Sequence, residues 1–326
     1  MKSSRRYVAF AVTLAAVITV FIAAAIQWEH YQGRKLRIVY VPKVEDSAND
    51  FWISLLEGAR MAAEEYDVDL TVLAPASEDD YEGQIRCVEE AIGMNPDAIL
   101  LSPSSMTEIT DAANDVVSAE IKLVLIDSEL DENLQSALVS TDNYEAGRKM
   151  GDYAKSHLPE DPVIGIVAHV EGSSTAIERE AGFREGLGEY EDCIVETVFC
   201  DSDYDKAYRL TKEMIEQHPE INMLAGLNEY SAVGAARAVR DLGLSDTIRM
   251  IGFDSSQEEV QLLEAGVFDA IVIQKPFNMG YLGVERTVEI LHGELEPTIV
   301  DSGSKLITKD NMYVEENQKL LFPFAE

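Results

Sequence analysis

The sequence of 326 residues predicts an α/β protein with two units of parallel sheet. Three observations predict it. Short apolar runs of strand length alternate with amphipathic runs of helix length, the alternation comes in two series of similar size, and polar residues follow nearly every apolar run. Strand, helix, strand is the signature of a parallel sheet with right-handed crossovers. A hydrophobic content of 46% supplies the core that two domains need.

In the first series LRIVYV (36–41) reads as a buried strand. FWISLLEGARMAAEEY (51–66) reads as a helix, with Ile53, Leu56, Ala59 and Ala63 at helical spacing, and LTVLAP (70–75) as the next strand. IRCVEEAIGM, DAILLSP, ITDAANDVVSAE and LVLID continue the beat to Asp127. The second series opens with helix 145–158, strand 163–170, helix 175–190 and the strand CIVETVFC. KAYRLTKEMIEQHP, NMLAGLN, SAVGAARAVRDLGL, IRMIGFD, EEVQLLEAG, DAIVIQKP and MGYLGVERTVEILHG complete it. No low-complexity tract or long Pro/Gly/Ser linker interrupts either series, and two such units leave a cleft between them.

The N-terminus differs in kind. Residues 1–6 (MKSSRR) are basic, and Tyr7 to Ile26 is free of charge, followed by Gln27-Trp28. A run of about 20 apolar residues has the length of a transmembrane helix, whereas a secretory h-region is about 7–15. Residues 7–28 are therefore expected to be a membrane anchor with residues 1–6 in the cytoplasm and the rest exported. Ala23-Ala24-Ala25 also reads as a signal-peptidase site, in which case the protein is secreted. No Cys follows the run, which closes the lipoprotein route.

The 60 acidic and 26 basic residues give a net charge of -34, which repels phosphate backbones, so no nucleic-acid partner is expected. An acidic solubilising shell is a sufficient reading of that charge, and it names no ligand. The three cysteines, Cys87, Cys193 and Cys200, leave at least one unpaired. Cys193 and Cys200 flank a strand that would hold them about 23 Å apart, beyond the roughly 7 Å limit of a disulfide. No CxxC motif and no His-rich cluster suggests a metal, and no cofactor is expected.

Ligands of open parallel sheets bind beyond the carboxyl ends of the strands. The residues there are Asn49-Asp50-Phe51-Trp52, Ser102-Pro103, Asp127-Ser128, Asn228-Glu229, Asp254 and Gln274. Apart from the aromatics, nearly all can hydrogen-bond, which suits a neutral polyhydroxylated ligand better than a phosphate. Neighbouring aromatics at a helix start cannot share one core contact, so one of Phe51 and Trp52 is expected to face a ligand.

These positions, in this order, resemble the type 1 periplasmic sugar-binding proteins, the ribose-binding-like branch related to the LacI sensor domain, over residues 36 to about 310. The resemblance rests on Asn49, Phe51 and Trp52 after the first strand, Asp127-Ser128, STDNYEAGRKMGDY (140–153), and Arg179 in AIEREAGF. It continues through Tyr204, Asn228 in LNEYSAVGA, Gly252-Phe253-Asp254 and Gln274 in IQKP.

It implies two Rossmann-like domains joined by a three-segment hinge, with crossings near 140–142, 275–277 and 302–304. The N-terminal lobe would be 36–140 plus 277–302, and the C-terminal lobe 141–276 plus 303–326. It also implies a ligand-binding set of Asn49, Phe51, Trp52, Asp127, Ser128, Arg179, Tyr204, Asn228, Asp254 and Gln274. The chemistry agrees: carboxylates accept paired sugar hydroxyls, Arg179 offers a rigid donor fork, amides donate and accept, and aromatics cover the C–H faces of a ring.

Each residue also has a structural reading. Asp254 reads as the cap of the helix starting near Ser256, Asp127 as a turn residue, and Phe51 and Trp52 as core. Arg179 reads as a solvated helix charge and Tyr204 as an exposed turn aromatic. Ribose binders carry an arginine where this chain has Ser128, so a hexose, another pentose or another small polyol is as good an expectation as ribose.

The expected function is an extracytoplasmic sugar-binding protein, not an enzyme, that delivers a monosaccharide or polyol to the permease of an ABC importer. The alternative is a sugar-sensing subunit that signals to a membrane histidine kinase or chemoreceptor. No GxSxG, HExxH or Walker A motif is present, and the five histidines are scattered. A DNA-binding repressor is excluded because an apolar segment stands where a helix-turn-helix would be.

Overall fold

The computed structural model describes residues 34–294 and 298–322. The apolar segment expected to cross the membrane, residues 7–28, lies outside the described residues; among the described residues no helix is long and apolar enough to cross a membrane.

The first sheet contains β1 (Arg37–Val41), β2 (Asp69–Val72), β3 (Ala98–Leu101), β4 (Lys122–Ile126), β5 (Ala137–Ser140) and β11 (Thr298–Asp301), in the order β11-β5-β4-β3-β1-β2. Every pairing in it is parallel. The second contains β6 (Ile164–Ala168), β7 (Ile194–Phe199), β8 (Met223–Gly226), β9 (Arg249–Phe253), β10 (Ala270–Ile273) and β12 (Lys305–Thr308), in the order β12-β10-β9-β8-β6-β7. Only its edge strand β12 is antiparallel. The strand order reverses beside β1 in one sheet and beside β6 in the other, which opens a crevice at the strands' carboxyl ends.

Helices cover both faces of each sheet, so the central strands β3, β5, β8 and β10 are buried throughout. In the first sheet α1 (Asp50–Glu65) follows β1, α2 (Tyr81–Gly93) follows β2 and α3 (Thr110–Ser118) follows β3. In the second, α4 (Asn143–Ser156) precedes β6, and α5 (Ser174–Leu187), α6 (Tyr204–Gln217), α7 (Glu229–Asp241) and α8 (Gln257–Ala265) follow β6 to β9. Helix α9 (Pro276–His292) returns the chain to the first sheet, and α10 (Glu315–Leu321) closes the described chain. The hydrophobic pattern did not separate β5, β11, β12 and α10: no helix lies between β4 and β5 or between β11 and β12, and α10 spans only two turns.

The chain passes from one sheet to the other between β5 and β6, between β10 and β11, and between β11 and β12. Hydrogen bonds tie these crossings together: Ser302 N–H donates to the Ser140 carbonyl at 2.8 Å, and Asp142 N–H donates to Asp301 at 3.1 Å. Thr141 Oγ1 lies 3.2 Å from Ser302 Oγ and donates to Gln274 Oε1 at 2.8 Å.

The helix after each of the first two crossings packs against a helix whose first turns border the crevice, α4 on α5 and α9 on α1. Glycine makes both contacts possible. A Cβ on Gly147 or Gly182 would run into the backbone carbonyl of the opposite helix, Arg179 or Tyr144, and one on Gly58 or Gly280 would meet that of Phe277 or Leu55. These pairs are backbone against backbone, so no rotamer change relieves a clash. Gly182→Ala is expected to destabilise the protein by about 1–3 kcal/mol. Gly93→Ala, where an added Cβ meets nothing within 4 Å, is expected to be neutral or slightly stabilising. Urea unfolding of both variants checks the contrast.

Candidate functional site

The carboxyl ends of both sheets contribute to one cavity. From the first sheet come Lys43 beyond β1, Asn49, Phe51 and Trp52 at the start of α1, Glu78 beyond β2 and Asp127 beyond β4. From the second come His169 beyond β6, Thr175 and Arg179 on α5, Asn228, Glu229 and Tyr230 beyond β8, Asp254 beyond β9 and Gln274 beyond β10.

The two asparagines hold helix starts. Asn49 caps α1 by accepting from Trp52 N–H at 3.1 Å, and Asn228 caps α7 by accepting from Ser231 N–H at 2.9 Å. Ser231 Oγ accepts from Asn228 N–H in return, completing a capping box. Each cap therefore fixes a side chain at the rim of the cavity.

The two aspartates occupy equivalent strand ends. Asp127 and Asp254 both have left-handed backbones, with φ of 71° and 88°, a conformation that Asp tolerates better than most residues. Asp254 does not cap the following helix: Ser256 does so through a capping box with Glu259. Instead its carboxylate accepts from Glu229 N–H at 2.9 Å and Gln274 Nε2 at 2.7 Å. Asp127 Oδ2 accepts from Ser128 Oγ at 2.7 Å and pairs with Lys43 Nζ at 2.8 Å, both charged side chains being almost fully buried.

Arg179 is buried too, which rules out a solvated helix charge. Its guanidinium stacks 3.8 Å from the centre of the Phe253 ring, while Nε donates to Asn143 and Nη1 to the Leu227 carbonyl. Burial lowers its pKa, against the opposing pull of Asp254, Asp127 and Glu78. His169 is pushed well below the usual imidazole range by burial, with Arg179 and Lys43 adding to the effect.

Phe51 and Trp52 both border the cavity, meeting edge to face with centroids 5.0 Å apart. Trp52 is also held from behind, its Nε1 donating to Glu78 Oε1 at 2.6 Å. Two of the ten expected residues do not line the cavity. Ser128 is fully buried behind Asp127, and Tyr204, half-buried, donates to Glu229 at 2.5 Å and accepts from Asn49 Nδ2 at 3.4 Å.

Sequence reasoning missed Lys43, Glu78, His169, Thr175 and Tyr230, and placed Glu229 at a strand end without taking it into the ligand-binding set. Lys43 was within reach, since a lysine two residues beyond the end of a predicted buried strand must lie at the sheet's carboxyl end. Glu78 was not, because it sits in the acidic run SEDDYE and resembles its solvated neighbours.

The rims of the cavity meet directly. Glu229 accepts from the backbone N–H groups of Asp50 and Phe51 at 3.4 and 3.3 Å, and Tyr230 donates to Asp46 at 2.8 Å. Ser202 donates to Glu78 at 2.7 Å, and Gln257 N–H to Asp50 at 2.9 Å. The molecule is therefore closed over its cavity.

Burial, with Asp254 and Asp50 nearby, raises the pKa of Glu229 to about 8, although Tyr204 and Phe51 N–H favour its ionised form. A carboxyl that ionises near 4.5 when unfolded then carries more proton in the fold. Its stabilising contribution is full below about 4.5, falls as pH rises, and is gone above about 8. Glu229→Gln is expected to flatten the fall in stability between those pH values. Urea midpoints across that range check it, and equal slopes in both proteins contradict the assignment.

A family model for the periplasmic binding protein domain matches residues 38–295. The D-ribose/D-allose-binding protein of Pseudomonas aeruginosa is 24% identical over 94% of this chain and 98% of its own length. A sugar transporter structure from Clostridium phytofermentans is 42% identical, with a TM-score of 0.81, covering 85% of this chain and 100% of that one. A carbohydrate transporter solute-binding protein from Agrobacterium radiobacter, in complex with D-arabinose, is 26% identical, with a TM-score of 0.82, over 88% and 99% of the two chains.

Proposed function

The chain belongs to the periplasmic binding protein family, in its type 1 sugar-binding branch, and from that premise we propose that it is the sugar-binding component of an ABC importer. One observation carries the reading: a buried cavity lined from both sheets by side chains that donate and accept hydrogen bonds, with two aromatics on one wall. Family relatives are binding proteins rather than enzymes, and the arrangement is suited to holding a ligand.

In the proposed mechanism two lobes, 36–140 plus 277–302 and 141–276 plus 303–326, swing about the three crossings and close on a monosaccharide or similar polyol. A ligand that touches both walls favours the closed state by its differential affinity. Asp127 and Asp254 accept ligand hydroxyls, Arg179, Asn49 and Asn228 contribute donors, and Phe51 and Trp52 cover the ring's C–H face. Gln274 contacts the ligand beside the second crossing, while Ser128 and Tyr204 support Asp127 and Glu229 from behind. The apolar segment 7–28 anchors this domain to the extracytoplasmic face of the membrane, where the permease reads the closed form. A second reading, presentation of the bound sugar to a membrane sensor kinase or chemoreceptor, draws on the absence of a Cys after that segment.

The test is thermal unfolding of the full-length chain in detergent, followed by intrinsic fluorescence, against a panel of monosaccharides and polyols. At least one sugar is expected to raise the unfolding temperature of the wild type and not of Asp254→Ala. Absence of any shift across the panel overturns the proposal.

A further inference from the structure

The charges around the cavity do not balance. Lys43 and Arg179 face four carboxyl groups, those of Glu78, Asp127, Glu229 and Asp254. Lys43 is engaged by Asp127 at 2.8 Å. Among the described residues no ion pair reaches Glu78, Glu229 or Asp254; Lys43 still acts on Glu78 and Arg179 on Asp254, whereas the groups bearing most strongly on Glu229 are Tyr204 and two further carboxylates, Asp254 and Asp50. A buried carboxylate without a counter-charge costs several kcal/mol, so the site must either hold a proton there or receive a cation.

A second observation points the same way. His169 is buried against the cavity, and its Nδ1 has no hydrogen-bond partner among the described residues. Its Nε2 lies 2.8 Å from Thr175 Oγ1, which also receives Lys43 Nζ at 3.5 Å, so Nδ1 is left for a ligand group, as donor or acceptor according to the tautomer. With four carboxyl groups against two cationic side chains, the walls carry more anionic acceptors than cationic donors. Sugar hydroxyls both donate and accept and bring no charge, whereas an ammonium group only donates and carries the charge that is missing.

Resting on the sugar-binding reading above, we infer that the preferred ligand is a monosaccharide carrying a protonated amine, with the ammonium group beside Glu229 and Asp254. The carboxylates then serve as counter-ions, while Arg179 and the two asparagines remain for the hydroxyls. Closure places Glu229 against the N-terminal backbone of α1, so the charge contact and the meeting of the rims share one side chain.

The experiment is calorimetric titration of the full-length chain with D-glucosamine, D-galactosamine and D-mannosamine, each beside its neutral parent hexose. At least one amine is expected to bind about tenfold or more tightly than its parent. Glu229→Gln, with its folding checked by thermal unfolding, is expected to erase most of that preference. Should neutral hexoses bind as well as or better than the amines, this inference fails and the sugar-binding reading stands. If neither kind binds, both fail. The wild-type comparison decides the matter even where the variant does not fold.

Discussion

Gln274 donates from its amide nitrogen to Asp254 and accepts at its amide oxygen from Thr141, whose hydroxyl also meets Ser302. This buried chain joins the cavity to all three segments where the polypeptide passes between the sheets. Asp254 further receives the N–H of Glu229. A change in the ionisation or occupancy of the cavity therefore acts on groups hydrogen-bonded to the crossings, with no intervening solvent. The two glycine-mediated helix pairs extend the linkage, because α4 and α9 begin at crossings and clamp the helices that carry Arg179 and the Asn49 cap.

Electrostatics separates the surface from the site. The net charge of -34 is a property of the whole chain and is screened over about 8–10 Å in physiological salt. Inside the closed cavity screening is weak, and individual charges decide the outcome. Lys43 balances Asp127, Arg179 lies near Asp254 while bonding elsewhere, and Glu229 is left among other acids. The Lys43 pair gives the site a buried cation next to Ser128, where the resemblance to ribose binders leads one to expect an arginine.

The fold class was legible because both sheets are built around strongly apolar strands such as AILL and AIVI, separated by helices with one apolar face, and that contrast survives without coordinates. Strands β5, β11 and β12 escaped because no helix separates β5 from β4 or β12 from β11, so they fall outside the strand–helix alternation that marked equally short strands such as β3 and β10. Asp254, Asp127 and the asparagines were legible as site candidates because each follows a strand or caps a helix, and Arg179, inside α5, only through the family resemblance. Their partners were not: that Glu78 turns inward to take Trp52 Nε1, or that Tyr204 stands behind Glu229, depends on side-chain directions between elements 25 or more residues apart in sequence. The buried charge set is thus a tertiary property, assembled from residues 180 or more positions apart such as Lys43 and Glu229.

The most direct measurement of the central claim is a crystal structure of the full-length protein with its tightest-binding monosaccharide. One sugar is expected between the sheets, touching Asp127 or Asn49 from one side and Arg179 or Asp254 from the other in the same molecule. A sugar bound against one lobe only, or outside this cavity, would contradict it.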